Sequence, residues 1–264
     1  MLAFLLIGAA AATALQPTSK WQVNFDEGQC LAQRQYGTTD KPLTLALKGP
    51  ASGDVMQLAV LGGKGGPANA EQDDGSIAWG AAKARPTSVL NFRTTGSARR
   101  VYLINLPRTE VVEAAGPSSN RLAVSLGRGV HYDFAVTGLP GVMKVMDECV
   151  ADLRQYWNYS DVEVVPGTRL RSKASADLSH LFSSFDYPRD ALRRGQSGMV
   201  GVVLLIAADG KVADCTLTQT SGIAALDSQT CAIIQQRGRY KPAVGLDGKP
   251  ARDTDHARIR WKVH

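Results

Sequence analysis

The chain has 264 residues, 44% of them hydrophobic, and a formal net charge of +6. This is globular material, long enough for two modest domains. Residues 1–164 carry 15 Lys+Arg against 15 Asp+Glu, whereas residues 165–264 carry 15 against 9, so the basic excess belongs to the C-terminal part. Two readings of that excess are open: plain solubility, or attraction to an acidic partner or an anionic membrane surface. No nucleic-acid-binding motif is present, and nucleic acid is not an expected partner.

The chain opens with an uncharged apolar run from Leu2 to Leu15. That is too short for a transmembrane helix, which needs about 20 residues, and it suits the core of a secretory signal. Ala12-Thr13-Ala14 supplies a small-x-small cleavage site, so residues 1–14 read as a signal peptide. The usual basic residues before the core are missing, and an uncleaved anchor is the other reading. The expected location is the periplasm, with inner-membrane anchoring if the N-terminus is retained. Four cysteines fit an oxidising compartment, and none lies in a CxxC pair that would suggest zinc or thioredoxin-like chemistry. Their positions suggest bridges Cys30–Cys149 and Cys215–Cys231, although three pairings are formally open.

Residues 20–157 read as a mainly-β domain. Short strands are expected at Trp21–Phe25, Leu43–Leu47, Val55–Leu61, Val89–Phe92, Val101–Asn105, Glu110–Ala114, Leu122–Leu126 and His131–Val136. Such spacing, punctuated by Gly, Pro, Asn and Ser, argues for a sandwich or barrel. Gly62-Gly63-Lys64-Gly65-Gly66 lacks the spacing of a phosphate loop, and no helix pattern follows it, so it reads as a turn. A helix then begins at Leu139-Pro140-Gly141, with Met143, Met146, Cys149, Val150, Leu153 and Trp157 along its apolar stripe. Residues 158–176, with Pro166-Gly167 and mostly polar neighbours, read as a linker.

Residues 177–264 carry denser signals. Pro188 can open a short helix over residues 189–194, which Gly195 ends. Met199–Ala207 is almost wholly apolar, as expected of a central strand, and Asp209-Gly210 marks a hairpin turn into a partner strand over residues 211–220. A second helix runs from about Leu226 to Gly238, with Cys231 at the margin of its stripe. The chain closes on Ala257–Val263, where apolar and basic residues alternate as in a half-buried strand. Helix, strand, strand, helix and strand imply an α+β domain with a three-stranded antiparallel sheet and two helices on one face.

Tyr187-Pro188, Ala191, Gly195, Gly198, Asp209-Gly210-Lys211-Val212, Ser221-Gly222, Ala225-Leu226-Asp227, Arg239-Tyr240-Lys241-Pro242-Ala243 and the Ile259–Val263 strand occur in an order and spacing that resemble the TonB C-terminal domain family. The resemblance covers about 80 residues. It implies a non-enzymatic periplasmic domain without cofactor or metal, whose last strand pairs with an extended segment of an outer-membrane TonB-dependent receptor. It also implies a link to an inner-membrane motor complex that drives transport. Carried onto this chain, the partner-binding residues are Arg258, Ile259, Arg260, Trp261, Lys262 and Val263, with Tyr187 and Pro188 as packing or contact residues. The cations Arg258, Arg260 and Lys262 would add electrostatic selectivity and discourage self-pairing. Two features depart from the family pattern: the linker is short, and the apolar N-terminus looks cleavable.

Three functions follow as alternatives. The chain is a TonB-like transducer, a peptide-binding adaptor or regulator without energy transduction, or a structural protein that forms a homodimer through its last strand. Enzymatic readings have little support. His131, His180, His256 and His264 are scattered without metal spacing, and Gly195-Gln196-Ser197-Gly198 is one residue short of a nucleophile elbow, so Ser197 reads as a turn residue.

Overall fold

A computed structural model describes residues 14–49, 51, 54–116, 120–159 and 170–263. The expected signal peptide and most of the linker therefore lie outside the described residues. The first unit contains β1 (Gln22–Phe25), β2 (Cys30–Gly37), β3 (Pro42–Gly49), β4 (Val55–Lys64), β5 (Glu71–Trp79), β6 (Arg85–Arg93), β7 (Arg99–Pro107), α1 (Arg108–Ala114), β8 (Arg121–Ser125), β9 (His131–Ala135) and α2 (Leu139–Tyr156). Its nine strands form one antiparallel sheet in the order β1-β2-β3-β4-β7-β6-β5-β8-β9. The residues before β1 join its two ends. The Leu15 N–H donates to the Asp133 carbonyl and the Ala135 N–H to the Leu15 carbonyl, while the Thr18 N–H donates to the Gln35 carbonyl. The curled sheet is thereby closed into a barrel, filled by Leu45, Leu47, Met56, Leu58, Ile104, Leu106 and Phe134. Burial pushes the Tyr36 phenol inside it up to about 12. The Cys30–Cys149 disulfide ties α2 to β2.

The strand expected at Glu110–Ala114 is instead the helix α1. Pro107 fixes the entry φ at −55°, Val111 and Ala114 share the buried side three residues apart, and Val112 faces solvent. Val111 and Val112 are β-branched and favour strands, but local packing prevails here. The presumed turn of glycines is partly strand: Gly62 to Lys64 continue β4, and Gly65 and Gly66 bend the chain with positive φ.

The second unit contains β10 (Leu170–Ser172), a 3₁₀ turn (Ser184–Asp186), α3 (Arg189–Arg193), β11 (Gly198–Ile206), β12 (Val212–Gln219), α4 (Ala224–Arg237), β13 (Ala243–Gly245), β14 (Pro250–Ala251) and β15 (Asp253–Trp261). β10, which pairs with β13, falls within the stretch 158–176 expected as a linker. The main sheet has the order β12-β11-β15, with both pairings antiparallel. Gly210, at φ +81°, makes the β11–β12 turn, where an added Cβ would stand 2.2 Å from the Tyr240 carbonyl oxygen.

The continuous apolar run of β11 has a physical cause: the strand is covered on both faces. Val200, Val202, Leu204 and Ile206 pack beneath the helices with Leu226, Ile233 and Ile234. Val203 and Leu205 face the other way and join the core of the barrel unit. Polar contacts hold the two units together around this seam. Lys48 pairs with Asp214 at 3.1 Å, Gln72 Nε2 donates to Gln196 Oε1 at 3.0 Å, and Arg194 pairs with Asp74 at 2.9 Å. Burial raises the Asp214 carboxyl above its ordinary value, and Lys48 works against that rise. The first backbone donors of α4 are also met from the barrel: the Ala224 N–H donates to Ser88 Oγ and the Ala225 N–H to Gln72 Oε1. The helix thus receives its N-terminal caps from the other unit.

Candidate peptide-pairing edge

The site begins with the position of β15 in its sheet. It hydrogen-bonds along its whole length to β11, from Asp253 opposite Ile206 to Trp261 opposite Gly198, and no described strand lies on its other side. Alternation places Ala257, Ile259 and Trp261 toward the helices and His256, Arg258 and Arg260 on the opposite face. Arg258 and Arg260 are exposed, and no ion pair among the described residues engages them. Lys262 is also exposed but, with Val263, lies beyond the strand, which starts earlier and ends earlier than the expected Ala257–Val263. Just beyond the strand the Val263 N–H donates to Ser197 Oγ at 3.1 Å, which gives Ser197 a structural contact.

Trp261 differs from the other expected contact residues. It is 5% exposed, its Nε1–H donates to Thr230 Oγ1 at 2.8 Å, and its ring meets Phe182 at 5.7 Å and Tyr187 at 5.3 Å. Tyr187 is held as well, its hydroxyl donating to the Gln196 carbonyl at 2.6 Å. The Trp261 side chain therefore faces the core with Tyr187 packed against it, while Arg258, Arg260 and Lys262 are exposed and Ile259 and Val263 are half-buried at or beside the edge. Pro188 is half-buried at the entry to α3.

Sequence reasoning missed the turn that caps this end of the strand. Asp186 accepts from the Ser183 N–H and hydroxyl at 2.8 Å each, and from both terminal nitrogens of Arg237 at 2.8 and 2.7 Å. These hydrogen bonds, led by Arg237, hold the Asp186 carboxyl well below the usual carboxylate range. Phe185 stands at the tip of this turn, 97% exposed. An apolar residue in an otherwise polar Ser-Ser-Phe-Asp run was the available signal. At the other end of β15, Asn158 Nδ2 donates to the Arg252 carbonyl at 2.7 Å and the Arg252 guanidinium lies 3.6 Å over the Tyr156 ring. The α2 end of the barrel unit therefore anchors the start of the edge strand.

A short helix, a hairpin, a long helix and a returning strand with no described strand on its outer side define an α+β domain. Residues 183–263 match the family described as Gram-negative bacterial TonB protein C-terminal, so this segment is similar to a TonB C-terminal domain. The match lies wholly within the second unit. No curated protein matches the chain.

Among the described residues no helix is long and apolar enough to cross a membrane, and no cluster of His, Cys, Asp and Glu could hold a metal ion. The histidines are not brought together: His131, His180 and His256 sit on separate elements, and His264 lies outside the described residues.

Proposed function

We propose that this is a TonB-like periplasmic protein whose β15 edge takes up an extended segment of an outer-membrane receptor by strand addition, in support of receptor-dependent transport. The observation that carries the reading is that no described strand pairs with the outer side of β15, in a segment that matches this family. Backbone groups on that side would supply affinity to any extended chain, and the side chains of Arg258, Ile259, Arg260 and Lys262 would select among them. Titrating the full chain with synthetic peptides from receptor N-terminal segments tests this. Shifts of the β15 amide resonances are expected, and no shift at millimolar peptide would sink the idea.

A second reading, a peptide-binding adaptor that transmits no force, is favoured by the way the barrel unit packs on the sheet and caps α4. Mass spectrometry of the mature protein from its native envelope separates the two. A retained apolar N-terminus supports the transducer, and cleavage near Ala14 supports the adaptor. Pairing of two β15 strands would bring Arg258 and Arg260 of two copies close together, which opposes the homodimer.

A further inference from the structure

The two faces of β15 differ in chemistry in a way that specifies a partner. On one face Arg258 and Arg260 stand two residues apart, about 7 Å along the strand. Elsewhere Arg85, Arg108, Arg121 and Arg237 each have a carboxylate partner. The acids of β15 itself are already engaged. Asp253 accepts from Lys173 and the Ala174 N–H, and Asp255 from the Tyr240 hydroxyl and the His256 N–H. On the other face Ala257 and Ile259 are half-buried against the apolar cluster that includes Leu181 and Phe182. Phe182 and Tyr187, on either side of Phe185 in sequence, both pack on Trp261. The hydrogen-bonded turn therefore holds an exposed aromatic ring at the C-terminal end of the strand, at little further cost in order when a partner arrives.

Building on the strand-pairing reading, we infer that the edge selects extended protein segments in which carboxylates alternate with apolar side chains and a bulky apolar residue meets Phe185. A strand laid beside β15 turns successive side chains to opposite faces. Its acids then lie against Arg258 and Arg260 and its apolar residues against Ala257 and Ile259. A slip of one residue would bring carboxylates to Ile259 and apolar groups to the arginines, so the pattern fixes register as well as affinity.

The probes are the peptide Phe-Glu-Val-Glu-Val-Glu-Phe, whose rings share the face of its valines and reach Phe185 in either strand direction, its Gln-for-Glu counterpart, and the same peptide with Ala at both ends. Each is titrated into the full chain and into the Arg258→Gln/Arg260→Gln and Phe185→Ser variants. The glutamate peptide is expected to bind roughly three- to tenfold tighter than the glutamine peptide, as two exposed ion pairs allow. The double arginine variant should erase that difference. Phe185→Ser should weaken the Phe-ended peptide about fivefold or more and the Ala-ended one far less. All three positions are exposed, so unchanged thermal melting certifies the variants. Equal affinity for the glutamate and glutamine peptides, or indifference to Phe185→Ser, would overturn the selection rule while leaving strand pairing intact. Failure of every peptide to bind would overturn strand pairing itself. Adsorption to anionic-lipid vesicles without peptide binding, lost in the double arginine variant, would reassign the cations to a membrane surface.

Discussion

Replacing Asp227 by alanine removes a carboxylate that is 1% exposed and accepts from four donors. These are the Thr220 hydroxyl, the Ser221 N–H at 2.8 Å, the Ser221 hydroxyl at 2.7 Å and Asn105 Nδ2 at 2.9 Å. The first three close the turn ahead of α4, and the fourth reaches in from β7 of the barrel. A hydrogen bond to a charged group contributes about 1.5–3 kcal/mol, but contributions within one network do not simply add. The Thr220 and Ser221 hydroxyls lie close enough to solvent to recover water, which leaves the Ser221 N–H and the Asn105 amide as the main losses. Asp227→Ala should therefore cost about 3 kcal/mol and lower the melting temperature of the full chain by roughly 6–12 °C. Asp227→Asn keeps one acceptor and should cost about half as much. Differential scanning calorimetry reads both. A double-mutant cycle with Asn105→Ala should return a coupling of about 1 kcal/mol, the part that crosses between the units. A loss below about 1 kcal/mol for Asp227→Ala, or zero coupling to Asn105, would refute the view that this carboxylate joins the two units.

Trp261→Ala should destabilise by about 3–5 kcal/mol in urea unfolding, whereas Trp261→Phe should lose far less, because Thr230 keeps its bond to the Leu226 carbonyl. Removing the Cys30–Cys149 bridge, whose ends are 119 residues apart, should cost about 4–5 kcal/mol on the chain-entropy model, against about 3 for Cys215–Cys231 at a separation of 16. Urea midpoints of the two paired-serine variants give the order. Asp186 has a carboxyl lowered in the fold, so its stabilising contribution is complete above about pH 4 and lost as pH falls through the lowered value. The stability gap between the wild type and Asp186→Asn should be constant from pH 5 to 7 and shrink under strong acid. A gap that widens on acidification would contradict this sign.

The elements that could be read from sequence are those whose two faces differ, or whose turns have unusual backbone demands. β11, the Asp209-Gly210 turn, the stripe of α2 and the alternation of β15 are of this kind. β5 was not legible, because its sequence EQDDGSIAW shows no apolar alternation. Its polar residues are nonetheless partnered: Gln72 and Asp74 reach the second unit, and Asp73 accepts from Asn91. The docking of the units was invisible for the same reason. Lys48 and Asp214, or Asn105 and Asp227, are ordinary polar residues 166 and 122 positions apart, and only the fold makes them neighbours. At the candidate edge, alternation put Arg258 and Arg260 on one face and Trp261 on the other, but it could not show what packs around Trp261 or that the strand ends there. Those features involve Thr230, Phe182 and Ser197, which come from three other parts of the chain.

An unpaired strand edge invites unwanted association, and most edges in this molecule are closed by other means. The barrel has joined its ends through Leu15 and Thr18. The small sheet exposes only strands of two or three residues, β10, β13 and β14. Along β12, Thr216 is buried and Asp214 is held by Lys48 of the barrel. β15 is nine residues long and, among the described residues, no strand covers its outer side; Tyr159 meets His256 near its start, and Arg258 and Arg260 stand exposed further along. Like charges on neighbouring copies oppose self-pairing, but they offer no defence against a segment that brings carboxylates of its own. On the proposed reading, a long edge guarded mainly by charge would be closed to copies of itself and open to an acidic strand, which is the asymmetry a selective strand-addition site requires.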